Sequence, residues 1–424
     1  MQLEKVSFLD SKKEILLFLK IIFILFSYSL LIEYNNYLHL TQFSSSIVHT
    51  TVLKQYKKTK ITKHHKSKKY QVLKLKSNQG FQFYTTVPQS FPNIKGKKIT
   101  LEIFPKKLTF YQYMTNFYTY SKILAIQQQN TKLQLNHLIQ IQHKDNNISA
   151  IYQALYTATP LPYKLQTYFS ALGISHLFAI SGFHLGVLAT ILYFLFRYPY
   201  TFFQNRYFPF RSYNVDSMIF ISLILLGYLL FLGTPPSLLR AYAMLLIGFI
   251  LYDRGYNIFS MQTLLITLVM LLALFPRLFF EIGFWLSMSG VFYIFLFFLY
   301  FKNISKILQF LFLPIWIYLC MLPFSLVIFS TFSIYHPISI FITSLFTIFY
   351  PLSIFFHLIA MGDIFDIFLH KLLLLDIPIT KVSLSPYFLY FHIFFSFLAL
   401  FFKKTLYLLL FSSGLFFLIA LLQT

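Results

Sequence analysis

Residues 173–186 read Gly-Ile-Ser-His-Leu-Phe-Ala-Ile-Ser-Gly-Phe-His-Leu-Gly, which sets His176, Ser181 and His184 inside an otherwise apolar stretch. Serine and histidine can form a nucleophile and its base, but that chemistry also needs a group to orient the imidazole. No carboxylate lies near this stretch in the sequence. The spacing therefore argues against hydrolysis, and the chain reads as no enzyme. Polar side chains at membrane depth are costly and face a partner helix or a wet cavity. On a helix, Ser175, Ala179, Gly182, Gly186 and Thr190 would form one stripe of small residues. Gly182 and Gly186 would then let a second helix approach closely. The plainer reading is packing alone, with Ser181 bonded to the carbonyl four residues back.

Two charges stand in apolar runs. Arg240 follows Pro235-Pro236 by about one helical turn, and Glu281 opens a later run. A charge at the bilayer centre costs about 2.5–3.5 kcal/mol on insertion scales. The two are expected to pair or to line a wet vestibule; the alternative is snorkelling to the interface. Asp363, Asp366 and Asp376 fall on polar breaks and read as loop residues, not proton relays, and Asp253-Arg254-Gly255 reads as a cytoplasmic turn.

The elements that must position these residues are membrane helices. Of 424 residues, 57% are hydrophobic and 11% charged, against about 25% charged in a soluble domain. Apolar runs long enough to cross the hydrocarbon occur at 15–32, 174–196, 216–232, 236–252, 258–275, 282–301, 307–330, 338–361, 386–402 and 405–422. The fold class is an all-α polytopic membrane protein of about ten spans with a small extracytoplasmic β domain. The single cysteine, Cys320, excludes a disulfide within the chain and a cysteine metal site, and reads as a small buried hydrophobe. No metal or other cofactor is expected.

Lysines precede or open the first span and Glu33 follows it, so the N-terminus is expected inside and the next segment outside. Arg197, Arg206 and Arg211, then Arg254, then Lys302 and Lys306 fit the resulting alternation, with Arg277 the exception. The outer segment, 44–107, shows period-two alternation at Leu73 and Leu75, at Phe81 through Val87, and at Ile99 through Ile103. It carries fifteen of the lysines that raise the net charge to +23. Residues 108–172 read as membrane-surface helices. The expected organisation is an anchor over 1–40, a basic β domain over 44–107, surface helices over 108–172, a core over 173–361 and further membrane helices over 362–424.

The string from His176 to Gly186 resembles the signature of the ComEC competence family, His-Leu-x-Ala-Ile-Ser-Gly-x-His-x-Gly. Three later stretches follow in the family's order: Pro236 to Met244, Phe280 to Ser287, and Leu322-Pro323 to Ser339. The resemblance covers about 150–355 and implies a multi-pass channel of the bacterial cytoplasmic (inner) membrane that moves single-stranded DNA during natural transformation. His176, Ser181, Gly182, His184, Gly186, Arg240 and Glu281 would line or gate the path. It also implies an OB-like outer domain. There Lys57, Lys58, Lys66, Lys68, Lys69, Lys74 and Lys76 would bind DNA phosphates without sequence preference, and Phe81, Phe83 and Tyr84 could stack on bases. Implied partners are DNA, a ComEA-like DNA receptor, and cytoplasmic motor and single-strand-binding proteins; the lipid membrane follows from the apolar runs alone, and the sequence leaves a homo-oligomer open. Many members end in a metallo-β-lactamase-like domain. This chain ends at Thr424 in an apolar helix and has no His-x-His-x-Asp-His cluster, so a short form without nuclease activity is expected. No phosphate-cradling Gly-x-x-x-x-Gly-Lys-Ser/Thr loop occurs. A secondary transporter of a small anionic solute and a membrane enzyme acting on lipid-linked glycans remain as alternatives.

Overall fold

The computed structural model of the chain describes residues 11–61, 67–105, 107–127, 131–253, 260–382 and 384–423. Lys66, Arg254 and Gly255 lie outside the described residues, as do the side chains of Lys68 and Asp253. The chain forms two compact units, one made of 13–141 with 270–281 and the other of 142–269 with 282–424.

The first unit begins with a long apolar helix, α1 (Lys12–Thr41), and continues into six strands: β1 (Ser46–Ile61), β2 (Ser67–Ser77), β3 (Gln82–Pro88), β4 (Lys98–Phe104), β5 (Phe117–Tyr118) and β6 (Tyr120–Ile126). A short helix, α2 (Phe110–Met114), precedes β5, and α3 (Thr131–Ile141) follows β6. The strand order is β5-β3-β2-β1-β4-β6. β5 runs parallel to β3, and after Thr119 the same segment pairs antiparallel with β4 as β6. Residues 117–126 thus reach both edges of the β3-β2-β1-β4 sheet and close it on itself. The sheet therefore extends past the expected boundary at 107. Two strands come from a segment expected to form surface helices, because their other face completes the barrel core.

The alternation seen in the sequence marks the inside. Leu73, Leu75, Phe81, Phe83, Leu101 and Ile103 are fully buried. Ser77 to Gly80 make the β2–β3 turn, with Gly80 at φ +92°, a conformation that favours glycine.

Arg277, in a 3₁₀ turn over Pro276–Phe280, explains its own departure from the charge alternation. Its Nε donates to Glu33 Oε1 at 2.7 Å and its Nη2 to Glu33 Oε2 at 2.6 Å, a two-pronged pair at the end of α1. The guanidinium also lies 4.4 Å from the Tyr113 ring centroid. A cation neutralised in this way is no longer a free topological charge.

The second unit is helical: α4 (Asn146–Thr157), α5 (Tyr163–Ala171), α6 (Gly182–Tyr207), α7 (Tyr213–Phe231), α8 (Pro236–Asp253), α9 (Met261–Leu274, whose end belongs to the first unit), α10 (Ile282–Phe301), α11 (Lys306–Phe329), α12 (Ile338–Leu358), α13 (Asp366–Leu373), α14 (Pro386–Leu398) and α15 (Lys403–Leu422). A two-stranded patch, β7 (Thr331–Phe332) with β8 (Thr380–Lys381), links the segments after α11 and before α14. Among the described residues, seven helices of the chain are long and apolar enough to cross a membrane: α1, α6, α7, α10, α11, α12 and α15. Three shorter apolar helices lie in α8, α9 and α14. α6, α7 and α8 share one core around Leu185, Leu225 and Leu238. A second core joins α10, α11, α14 and α15, with Cys320 fully buried in it. There His392 ties α14 to the Cys320 carbonyl at 3.0 Å.

Removing one half of a partly buried ion pair leaves the other charge without its partner, at a cost below the roughly 3–5 kcal/mol of a fully buried pair. Glu33→Gln is expected to lower the thermal stability of the detergent-solubilised protein. Adding Arg277→Gln should recover part of the loss, and a double mutant less stable than either single would contradict the pairing.

Candidate functional site

The expected helix from 174 starts late. Residues 175–177 form one 3₁₀ turn, Ser181 is extended (φ −129°, ψ 178°), and α6 begins only at Gly182. Ser175 and Ala179 are therefore off the helix, and the five-residue small stripe does not form. Gly173 adopts φ +73°, and a Cβ there would lie 2.5–2.8 Å from the His336 imidazole. Glycine is required twice over, by the backbone conformation and by the ring against it. The exposed His176 donates from Nδ1 to the Gly173 carbonyl at 2.9 Å.

Ser181 caps α6 rather than bonding back into a helix. Its N–H donates to His184 Nδ1 at 3.1 Å, and its Oγ lies 3.0 Å from the same nitrogen. This is a capping box with histidine in the position usually held by Glu or Gln. A backbone N–H can only donate, so Nδ1 carries the lone pair and the neutral ring holds its hydrogen on Nε2. That Nε2 is buried; among the described residues it makes no hydrogen bond of regular geometry, its nearest backbone acceptor being at Leu177. His184 is 1% exposed. The Tyr350 ring stands 4.4 Å from it, edge to face, and Phe346 5.6 Å away.

Beside this cap lies Arg240, 5% exposed, in α8. Its Nε donates to Ser287 Oγ of α10 at 2.8 Å and its Nη1 to Met244 Sδ at 3.1 Å. Its Nη2 would be 3.0 Å from a Cβ on Gly182, and the Ala241 Cβ 3.2 Å. Ser237 donates to the Ile180 carbonyl at 2.7 Å and holds α8 against the cap. Arg240 and Glu281 each have partners within their own unit. Arg240 takes a hydroxyl and a thioether, while Glu281 accepts from Gln82 at 3.0 Å. Ion pairs among the described residues include His143–Asp366, Arg211–Asp216 and Arg277–Glu33. The physical reason is placement: Glu281 ends the 3₁₀ turn of the first unit, where the β-domain amide reaches it.

All four sequence stretches contribute to this region. Gly182 meets Arg240, Arg240 meets Ser287, and His336 packs on Gly173. Sequence reading missed Ser287, His336 and Tyr350 as partners, since no local spacing joins positions so far apart. Gly186 differs from its assigned role, as a Cβ there would meet nothing within 4 Å. The arrangement offers a buried guanidinium with no carboxylate partner among the described residues and a buried imidazole N–H, both at the start of a helix. Those are the donors an anionic group would need.

The first unit has a face of its own. Directly paired residues share a face. The register Lys54–Lys74, Tyr56–Val72, Lys58–Tyr70 and Lys74–Tyr84 therefore places lysines and tyrosines together on the outside of the barrel. Lys76 belongs to that face too, opposite Gln82, whereas Lys57 and Lys69 point to the other side of the hairpin and are exposed there. Lys74 Nζ stands 5.7 Å over the Tyr84 ring. Partial burial holds Lys54, Lys74 and Lys76 below the usual lysine value, with Lys74 adding repulsion on Lys54. Phe81 and Phe83 are fully buried and cannot stack on bases, because their alternation makes them the barrel core. The outward aromatics are Tyr56, Tyr70, Tyr84 and Tyr118.

A family model described as Competence protein matches residues 159–424. No curated protein and no solved structure matches.

Overpacking a tight contact costs about 1–3 kcal/mol. Gly182→Ala is expected to lower the melting temperature of the solubilised protein, whereas Gly186→Ala leaves it unchanged or raises it slightly. Equal effects from the two would remove the argument for close approach at Gly182.

Proposed function

Because the chain belongs to the competence protein family, which acts in DNA uptake, we propose that it is the path by which single-stranded DNA crosses the bacterial cytoplasmic membrane. The observation that carries this reading is Arg240, a buried cation that no carboxylate of the described residues neutralises. Burying a charge without a counter-ion is unfavourable unless an anion is supplied at work. A passing phosphodiester is such an anion, and a guanidinium can grip it with two parallel hydrogen bonds. The buried His184 Nε2–H and the start of α6 would add donors. Ser287 and Met244 are weak acceptors, so they hold the guanidinium in place without cancelling its charge. Gly182 keeps the approach open, and His176 and Gly186 lie on the flanks of the cap.

The basic domain would collect DNA outside. Its strand order, with one segment pairing parallel to β3 and antiparallel to β4, supports an OB-like barrel. Lysines give affinity to any sequence through phosphate contacts, and the tyrosines between them offer faces for unpaired bases. Glu281 would act at this domain through Gln82 rather than at Arg240. A ComEA-like receptor would hand over duplex, and cytoplasmic motor and single-strand-binding proteins would take the product.

The test scores surface capture and cytoplasmic entry of labelled duplex DNA separately. Arg240→Gln is expected to retain capture and lose entry by more than tenfold, with Arg240→Lys between it and the wild type. Normal entry in Arg240→Gln would refute the phosphate role. Replacing Lys54, Lys58 and Lys74 with Gln should instead weaken capture at all sequences and flatten its salt dependence by about one unit of slope per lost phosphate contact.

A further inference from the structure

A second polar cluster lies at the end of α12, separate from Arg240. His143, in the link between α3 and α4, has a fully buried side chain. Its Nδ1 lies 2.9 and 3.1 Å from the two carboxylate oxygens of Asp366, the first residue of α13. Its Nε2 lies 3.0 Å from Nε2 of His357, in the last turn of α12. His357 Nδ1 lies 2.7 Å from the Ser353 carbonyl oxygen. Asp366 is thus not the plain loop residue that the sequence suggested.

The hydrogens can be counted. A carbonyl only accepts, so His357 Nδ1 carries one. The contact between the two Nε2 atoms needs a second, and the contact between His143 Nδ1 and the carboxylate needs a third. Two neutral imidazoles and an ionised carboxylate bring only two. We infer that His143, His357 and Asp366 form a binding site for one proton, which ties the end of α12 to the start of α13 and to the link before α4. Without that proton, either two imidazole lone pairs face each other at 3.0 Å or a carboxylate faces a lone pair.

The neighbouring charges favour an added proton, against the cost of burying it. The charged groups acting on Asp366 besides His143 are Asp145 and Asp363, both acidic. Burial and these two charges raise its carboxyl above the usual carboxylate range, against the pull of His143. Tyr152 stacks flat on His143 at 4.5 Å, a face that suits a cationic ring. The remaining titratable groups near the cluster are phenols, Tyr156 of α4, Tyr228 of α7 and Tyr350 of α12, and His370 and Lys371 lie in the last turn of α13. A metal ion fits less well. Zinc at about 2.0–2.1 Å from each nitrogen would spread two tetrahedral ligands to roughly 3.3 Å. The described residues also provide no group of three or more His, Cys, Asp or Glu that could hold one.

The sign follows from the raised carboxyl. In the unfolded chain the two imidazoles take up protons below about pH 6.5 and the carboxylate does not, so the imidazoles oppose the tie at acidic pH; the stability that the bound proton contributes is lost as the pH rises above that range through the folded-state value of the cluster. An amide at either end supplies the missing hydrogen permanently. Asp366→Asn donates to His143 Nδ1, and His357→Gln donates to His143 Nε2. The experiment is thermal unfolding of the full-length protein in detergent across pH 7–9, above the range in which the unfolded chain's histidines titrate. Wild type should lose stability as pH rises, by up to a factor of about ten in the unfolding constant per pH unit for one proton. Both amide variants should remove that part of the pH dependence; if one does not fold, the other decides. A wild-type slope that persists in a folded amide variant overturns the inference. So does a slope abolished by added zinc in the wild type, which would make the site one for metal.

Discussion

Arg240 is the constraint around which the helical unit is arranged. A guanidinium 5% exposed among apolar helices is tolerable only if its donors are oriented and its stem is packed. Ser287 and Met244 orient it, and Gly182 lets its far end lie against the start of α6. The late start of α6 follows from the same need. A helix running unbroken from 174 would remove the extended Ser181 and the cap that holds His184. Removing helix from a membrane segment frees backbone groups, and they are satisfied here by local bonds: Ser237 to the Ile180 carbonyl, His176 to the Gly173 carbonyl.

The β unit answers a different problem. Its lysines repel one another across paired strands, as Lys54 does with Lys74, so the barrel is held from within. The cost of lining up like charges on one face is offset by a core of fully buried Phe81, Phe83, Leu73 and Leu101. The Arg277–Glu33 pair fastens the turn before α10 to the end of α1. A face that repels itself is also one that attracts a polyanion, which links the energetics of the domain to the use proposed for it.

The two polar clusters of the helical unit differ in what they lack. The Arg240 cap presents donors that want an anion. The His143 cluster presents acceptors that want a proton. Both join elements distant in the chain.

The sequence by itself determined the membrane class, because apolar runs of span length have no other stable setting. It also marked the strands of the basic domain, since period-two burial is written in neighbouring residues such as Leu73 and Leu75. The run from His176 to Gly186 was legible as a family signature for the same reason: it is contiguous. What tertiary structure alone decided is which distant groups complete each other. Arg240 found Ser287, and Glu281 found Gln82. His143 found Asp366 and His357, more than two hundred residues away. The segment from 117 became barrel and not surface helix because β3 and β4 each offered it an open edge. Local pattern records the burial of a residue's faces, but partner choice depends on three-dimensional packing, which no periodicity encodes.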